Sequence, residues 1–142
     1  MTSTTTAGLT VADVMRPPVT TVERDAHVAA AAYLMKKKHD NALVVVTDGV
    51  DCRPVTLICD GDITQAVADG RDLEKTRLTS LQLPELVVVS PDTSIPDATE
   101  RMLATRVAYA PVVDDGRMVG LIDLALLCRA LLTERRAADA GG

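Results

Sequence analysis

The residues with chemistry to offer are few and scattered. Cys52, Cys59 and Cys128 form no CxxC pair, and the only histidines, His27 and His39, stand apart. The spacing of a zinc ligand set is therefore missing, and no metal is expected. No Gly-rich phosphate loop and no nucleophile–base pairing runs through the chain, so catalysis is not expected either. The plentiful carboxylates read mostly as solvated helix and turn residues. An odd number of thiols fits free cysteines in a reducing compartment. Cys59 reads as a small packing residue. A redox pair of Cys52 and Cys59 lacks the neighbouring cation that would activate a thiol. The basic cluster Lys36-Lys37-Lys38-His39 follows an Ala-rich run. It reads as a solvated helix end favoured by the helix dipole, with attraction to phosphate as the alternative.

The bulk composition narrows what could position such residues. Of 142 residues, 47% are hydrophobic, a fraction sufficient for a core without disulfide staples. Two tyrosines (Tyr33 and Tyr109) and no Phe or Trp leave that core to close-packed aliphatic side chains. The same shortage argues against platforms that stack single-stranded bases. A formal net charge of −5 lacks the basic stripe of a nucleic-acid binder. No apolar run is long enough to span a membrane. Met1 to Thr6 has neither the charged start nor the apolar stretch of a signal peptide, and a cytoplasmic protein is expected.

The chain repeats itself. Shifted by 67 positions, Pro17 falls on Pro84, Val22 on Val89, Asp25 on Asp92, Ala31 on Ala98 and Met35 on Met102. Val45-Val46 falls on Val112-Val113, and Asp48-Gly49 on Asp115-Gly116. Beyond Gly49 the register changes by three residues, so that Val55 matches Val119. Ordered matches over a whole supersecondary unit indicate two copies of one small domain. Neither copy alone supplies a comfortable core.

Each copy predicts the order strand, helix, strand, strand, helix, preceded by a short lead-in. In the first, Thr10 is expected to cap a helix over 11–15, which Pro17-Pro18 ends. A β-branched strand is expected over 19–22. Asp25 is the expected N-cap of a helix to about Lys38, whose apolar stripe is Val28, Ala31, Ala32 and Met35. Strands over 42–47 and 54–59 should flank the turn Asp48-Gly49. Asp60 should cap a helix closed by Gly70. In the second copy a lead-in over 78–81 and a strand over 86–89 precede a helix from Asp92 or Ser94 to about Thr105. Pro96 suits the start of that helix. A hairpin over 109–113 and 117–122 turns at Asp115-Gly116, and Asp123 should cap the last helix, to about Leu132.

This order resembles the cystathionine-β-synthase (CBS) domain, whose tandem pair is called a Bateman module. The residues that carry the resemblance are Val11-Ala12-Asp13-Val14-Met15, the strand Val19 to Val22, Ala31 to Met35, Leu43 to Val46 and, above all, Ala110 to Ile122. The resemblance implies a mixed α+β fold of two repeated β-α-β-β-α domains, packed as a pseudo-two-fold pair. The expected domains are 8–70 and 78–133, with a linker over 71–77 and a flexible tail over 134–142. It also implies a stand-alone regulatory module. Such a module requires no cofactor, binds an adenosyl ligand such as AMP, ADP or ATP in clefts between the domains, and commonly forms homodimers that signal to a protein partner. A degenerate scaffold that only dimerises is the alternative.

In the family, a Thr/Ser-x-x-Asp pattern holds phosphate and ribose. It maps in the first copy onto Cys59-Asp60-Gly61-Asp62. Asp62 keeps the carboxylate, an acceptor suited to ribose hydroxyls, while Cys59 replaces the hydroxyl with a weaker donor. The first cleft is thus expected to comprise Ile58, Cys59 and Asp62, with Val87, Val88, Val107 and Ala108 as an apolar wall for a purine. Arg53 and Arg106 are long enough to reach a phosphate. In the second copy the pattern becomes Asp123-Leu124-Ala125-Leu126. That cleft, walled by Thr20, Thr21, Asp40 and Asn41, would set Asp123 against an anion. A neutral or cationic ligand, or none, fits it better. Asp62 and Asp123 each have a simpler reading as helix caps.

Overall fold

The computed structural model describes residues 8–17, 21–47, 53–83 and 85–141. Two compact units emerge, one of residues 18–86 and one that joins residues 1–17 to residues 87–142.

In the unit of residues 18–86, the run Leu43-Val44-Val45-Val46 dictates a central strand. Branched side chains fill both faces of a pleated backbone, and every residue of β2 (Ala42–Val46) is buried. β1 (Thr21–Glu23) pairs with it in parallel and β3 (Pro54–Cys59) antiparallel. The parallel pairing demands a crossover, which α2 (Val28–Lys38) supplies. Helical spacing puts Val28, Ala31 and Met35 against Val22, Leu43, Val45 and Ile58. Fully burying a side chain such as Leu43 or Ile58 contributes about 1.5–3 kcal/mol. α3 (Asp60–Ala68) follows β3 directly, and Gly70 adopts the left-handed conformation, φ 79°, just beyond it.

Several element ends differ from expectation. α2 begins at Val28 with His27, not Asp25, as its N-cap, and His27 makes no capping side-chain bond. The chain over 71–77 takes the cap's place: Val28 N–H donates to the Thr76 carbonyl (2.8 Å) and Ala29 N–H to that of Leu73 (3.0 Å). The Asp25 carbonyl instead accepts from the Arg77 guanidinium. α3 starts at Asp60 itself, so Cys59 is the N-cap. Of the strand expected over 19–22, the described part is Thr21 and Val22, and β1 runs on to Glu23. Val19, Thr20 and the turn Asp48-Gly49 lie outside the described residues.

The other unit repeats the plan with β4 (Tyr109–Asp114) and β5 (Arg117–Asp123), turned by Asp115 and Gly116 at φ 53° and 79°. Positive φ at both central residues is what a tight hairpin needs. α4 (Ile95–Thr105) is capped by Ser94, whose hydroxyl accepts from Asp97 N–H at 3.2 Å, with Pro96 in its first turn. The strand expected over 86–89 shrinks to one bridge: Val89 pairs in parallel with Val112, donating to the Pro111 carbonyl and accepting from Val113. Ile95, Ala98, Met102, Ala110, Val112, Ile122 and Leu127 form the core. α5 (Leu124–Gly141) continues through the residues expected to form a tail.

Both repeats end their first long helix in the same uncommon way. His39 after α2 and Arg106 after α4 adopt φ near +58°, a left-handed cap usually given to glycine.

The compact units are cut differently from the sequence repeats. α1 (Val11–Val14) is the lead-in of the first copy but packs into the core of the unit that holds β4, β5 and α5. Its Val11 and Ala12 N–H groups donate to the carbonyls of Thr93 and Pro91. Thr10 caps it as expected, with both its N–H and its hydroxyl donating to Asp13. Conversely the 3-10 turn Leu78–Ser80 is the lead-in of the second copy but buries Leu78 in the core of β1–β3. Each lead-in thus completes the unit formed by the other copy.

Candidate functional site

Two corners of the structure correspond to the sequence pattern, one where β3 enters α3 and one where β5 enters α5. The first is built by the strand ending in buried Ile58. Cys59 then leaves the sheet with extended backbone (φ −113°, ψ 166°), and the chain turns directly into α3. Asp62, in the first turn, folds its carboxylate back so that Oδ2 accepts Cys59 N–H at 2.8 Å. Asp60 N–H donates to the Asn41 carbonyl at 2.9 Å, which ties the corner to the start of β2. Both Cys59 and Asp62 are partly exposed, and Asp60 is exposed. Burial pushes the Cys59 thiol above its ordinary pKa, and the carboxylates of Asp62 and then Asp60 push it further. It is a protonated thiol at neutral pH.

Beside this corner lies a groove of about 340 Å³, lined by Asp62, Gln65, Asp69, Arg71 and the chain at Ser80 to Leu83. It is a polar place: Gln65 donates to Asp69, and Arg71 is the cation among the lining residues. Sequence reasoning did not find it, because residues 80–83 belong to the second repeat and only the docking of that lead-in brings them to α3.

The second corner has the same shape and different chemistry. Asp123 Oδ1 accepts Leu126 N–H at 2.8 Å, which makes Asp123 the cap of α5. Its Oδ2 pairs with the Arg16 guanidinium at 3.3 Å. Arg16 also exchanges both backbone hydrogen bonds with Leu121, each 2.9 Å long. The groove beside this corner, also about 340 Å³, is lined by Leu9, Val14, Leu126, Arg129, Ala130 and Thr133. Leu126 stands where Asp62 stands in the first corner. Arg16 is the residue that sequence reasoning missed here. It lies more than a hundred positions from Asp123, and no local spacing signals the pair.

The remaining candidates fall as follows. Val87 and Val107 are partly buried, Val107 against the core of its unit, and Val88 and Ala108 are exposed. The Val88 carbonyl accepts from the Arg101 guanidinium at 2.9 Å and that of Ala108 from Leu124 N–H. Thr21 sits in β1 opposite Val44; Asp40 and Asn41 lead into β2; Thr20 lies outside the described residues. Cys128 is exposed on α5, and Cys52 lies outside the described residues. Among the described residues no group of three His, Cys, Asp or Glu side chains could hold a metal ion, and no helix is long and apolar enough to cross a membrane.

Two units that each carry a long helix, an antiparallel strand pair and a strand-to-helix corner mark a duplicated domain, and its family is identified by direct comparison. The family model for the CBS domain matches residues 11–69 and again 79–133, so the chain belongs to the CBS-domain family as a tandem pair. It is 31% identical over 131 residues to the CBS domain-containing protein YhcV of Bacillus subtilis, covering 92% of this chain and 91% of that one. Among solved structures it is similar to CBSX2 in complex with AMP, at 27% identity and a TM-score of 0.73, covering 90% of this chain and 99% of that one. It is also similar to a hexameric CBS-CP12 protein from bloom-forming cyanobacteria, at 26% identity and a TM-score of 0.74, covering 85% of this chain and 71% of that one.

Proposed function

We propose that this chain is a regulatory CBS pair that binds an adenosyl ligand and signals through a change in conformation or in contacts with a second copy or another protein. The observation that carries this reading is the state of Asp62. One oxygen is committed to Cys59 N–H, which fixes the direction of the carboxylate; among the described residues nothing bonds the other. A fixed, half-satisfied carboxylate at a strand-to-helix corner is a good acceptor for a pair of ribose hydroxyls. Ile58 and Cys59 complete that side. Val87, Val88, Val107 and Ala108 are the residues we assign to the purine. The structural relative solved with AMP supports the ligand class. Regulation then follows from differential affinity: a ligand that prefers one arrangement of the repeats shifts the population towards it.

The test is a thermal-shift titration with adenosine, AMP, ADP and ATP on the intact chain and on Asp62→Ala, each compared with its own ligand-free midpoint. A ligand at 100 times its dissociation constant adds about 2.7 kcal/mol. Loss of that shift in Asp62→Ala supports the reading. The absence of a shift with all four compounds would sink it.

A second reading, a scaffold that assembles without nucleotide, is favoured by the other corner. There Leu126 replaces the ribose carboxylate, and α5 leaves Leu132 54% exposed. The hexameric relative supports assembly in general, and a homodimer is the simplest form for this chain. Concentration-dependent sedimentation together with indifference to every adenine compound would select this reading.

A further inference from the structure

We infer that the exposed C-terminal end of α2, formed by Tyr33, Lys36, Lys37, Lys38 and His39, is a docking surface for an acidic segment of a partner protein. The inference stands apart from the ligand read at Asp62 and gives the protein partner of the module its chemistry.

The chain carries a formal net charge of −5, yet three of its four lysines stand consecutively here. All three are exposed, as is His39, and Tyr33 one turn earlier is 62% exposed. Successive residues of a helix point about 100° apart, so the ammonium groups fan around the helix end instead of facing one neighbour. Among the described residues none of them forms an ion pair. Lys37 Nζ lies 5.9 Å from the centroid of the Tyr33 ring, a cation–π contact that holds the side chain and leaves its charge in place. A helix end gains from cations through its dipole, but the other repeat shows that this end does not require them. At the equivalent positions α4 carries Glu100, Leu103, Ala104, Thr105 and Arg106, with no basic residue in its last turn. It closes in the same left-handed cap. His39 and Asp40 N–H groups donate to the Lys36 and Met35 carbonyls, just as those of Arg106 and Val107 donate to Leu103 and Met102. Backbone bonds thus close both helices, and the three lysine side chains are surplus to the fold.

Charge complementarity selects the partner. Three ammonium groups on flexible stems suit several carboxylates in a row, and the exposed Tyr33 ring beside them suits an apolar or aromatic neighbour of those carboxylates. A narrow peptide feels little beyond a Debye length of about 8 Å, so it meets the patch and not the acidic remainder of the chain. A lipid surface or a nucleic-acid duplex would face that remainder as well. Recognition of either also draws on more cations than three, about 4–8 for an anionic membrane and about 6–10 phosphate contacts for DNA.

Fluorescence anisotropy of a labelled hexaglutamate peptide with a terminal tryptophan, titrated with the full chain, tests the inference. Saturable binding is expected at low salt, weakening towards about 0.15 M. The triple variant Lys36→Gln, Lys37→Gln, Lys38→Gln is expected to bind at least about tenfold more weakly. A charge-matched control on exposed positions of α5, Arg129→Gln, Arg135→Gln, Arg136→Gln, should change binding by less than about twofold. Tyr33→Ser should weaken it by about threefold. Absence of saturable binding, or an equal loss in the two triple variants, would overturn the inference. So would tighter, lysine-dependent binding of phosphatidylserine vesicles or of a DNA duplex, which would give the patch to those surfaces. A dimer of the intact chain that dissociates in the lysine variant would give it to contacts between copies, and would overturn the inference as well. None of these variants alters Asp62, so the adenosyl reading stands or falls separately, by its own titration.

Discussion

The two lead-ins dock on equivalent strands with unequal closeness. In the unit containing β4 and β5, the segment 11–16 lies directly over Gly120: a Cβ there would stand 2.5 Å from Met15 Sδ and 2.9 Å from the Arg16 carbonyl oxygen. Arg16 then bonds Leu121 twice through the backbone and reaches Asp123 with its guanidinium. In the unit containing β1 to β3, the strand register puts Thr56 opposite Val45, just as Gly120 stands opposite Val112. There a space of about 280 Å³ remains between the segment 78–83 and the strands, lined by Val45, Val55, Thr56, Leu78 and Leu81. Leu83, the counterpart of Arg16, brings no charge to the first corner. Arg16 against Leu83 thus separates a corner whose carboxylate is neutralised by its own chain from one whose carboxylate is half free. Duplication supplied two copies of a corner; these substitutions pair the carboxylate of one with Arg16 and leave that of the other with a single bond among the described residues.

The largest expected effect comes from closing that difference at its source. Gly120→Ala forces Met15 and the backbone at Arg16 away from β5, an overpacking that should cost about 1–3 kcal/mol in urea unfolding. Thr56→Ala at the equivalent position, next to open space, should cost under about 1 kcal/mol. Equal costs at the two sites would show that the closeness at Gly120 has no energetic weight. Next in size is Asp123→Ala, which removes the cap of α5 and leaves Arg16 without its anion; about 1–2 kcal/mol is expected. Arg16→Ala alone should cost less. The pair is partly solvated, with side-chain exposures of 41% and 18%, so the coupling in a double-mutant cycle should be about 0.5 kcal/mol. The helix starts give a third contrast. Ser94→Ala loses a bonded cap and should cost about 1 kcal/mol, whereas His27→Ala, which caps nothing, should stay within about 0.5 kcal/mol. Chemical denaturation with a common baseline ranks all of these.

The duplication and the order of elements were legible because they rest on local signals: β-branched runs, helical spacing of Val28, Ala31 and Met35, and the Asp115-Gly116 turn. Asp62 and Leu126 were singled out only through the resemblance to the CBS family, whose Thr/Ser-x-x-Asp pattern maps onto the residues that follow each hairpin. What could not be read is how the copies share parts. An alignment of Val11 with Leu78 says that the two are alike, not that each docks on the other copy's strands. For that reason Asp25 looked like a cap, while the bonds it might have made are supplied by Leu73 and Thr76 from beyond the next helix. The ion pair of Arg16 with Asp123, and the groove that joins Asp62 to residues 80–83, depend on the same exchange. The strand over 86–88 was misjudged on composition alone: its valines suit a strand, but only Val89 finds a partner in β4.

The smallest expected effect concerns the thiol that stands in the first corner. Its acidity is weakened by burial and by Asp62 and Asp60, and nucleophilic attack requires the thiolate. In a Cys52→Ser, Cys128→Ser background, alkylation of Cys59 should therefore be slow at pH 8 and accelerate only above the ordinary thiol range. The sign for stability follows from the same shift. A folded-state pKa raised above the unfolded value stabilises the fold fully below the unfolded value, and that contribution is lost as the pH rises through the folded one. Asp60→Asn removes one of the carboxylates responsible, so it should move the alkylation profile of Cys59 to lower pH. An alkylation profile that does not move in Asp60→Asn would assign the shift to burial and to Asp62, and would weaken the contrast between a corner that carries an unpaired negative charge and one whose charge is cancelled by Arg16.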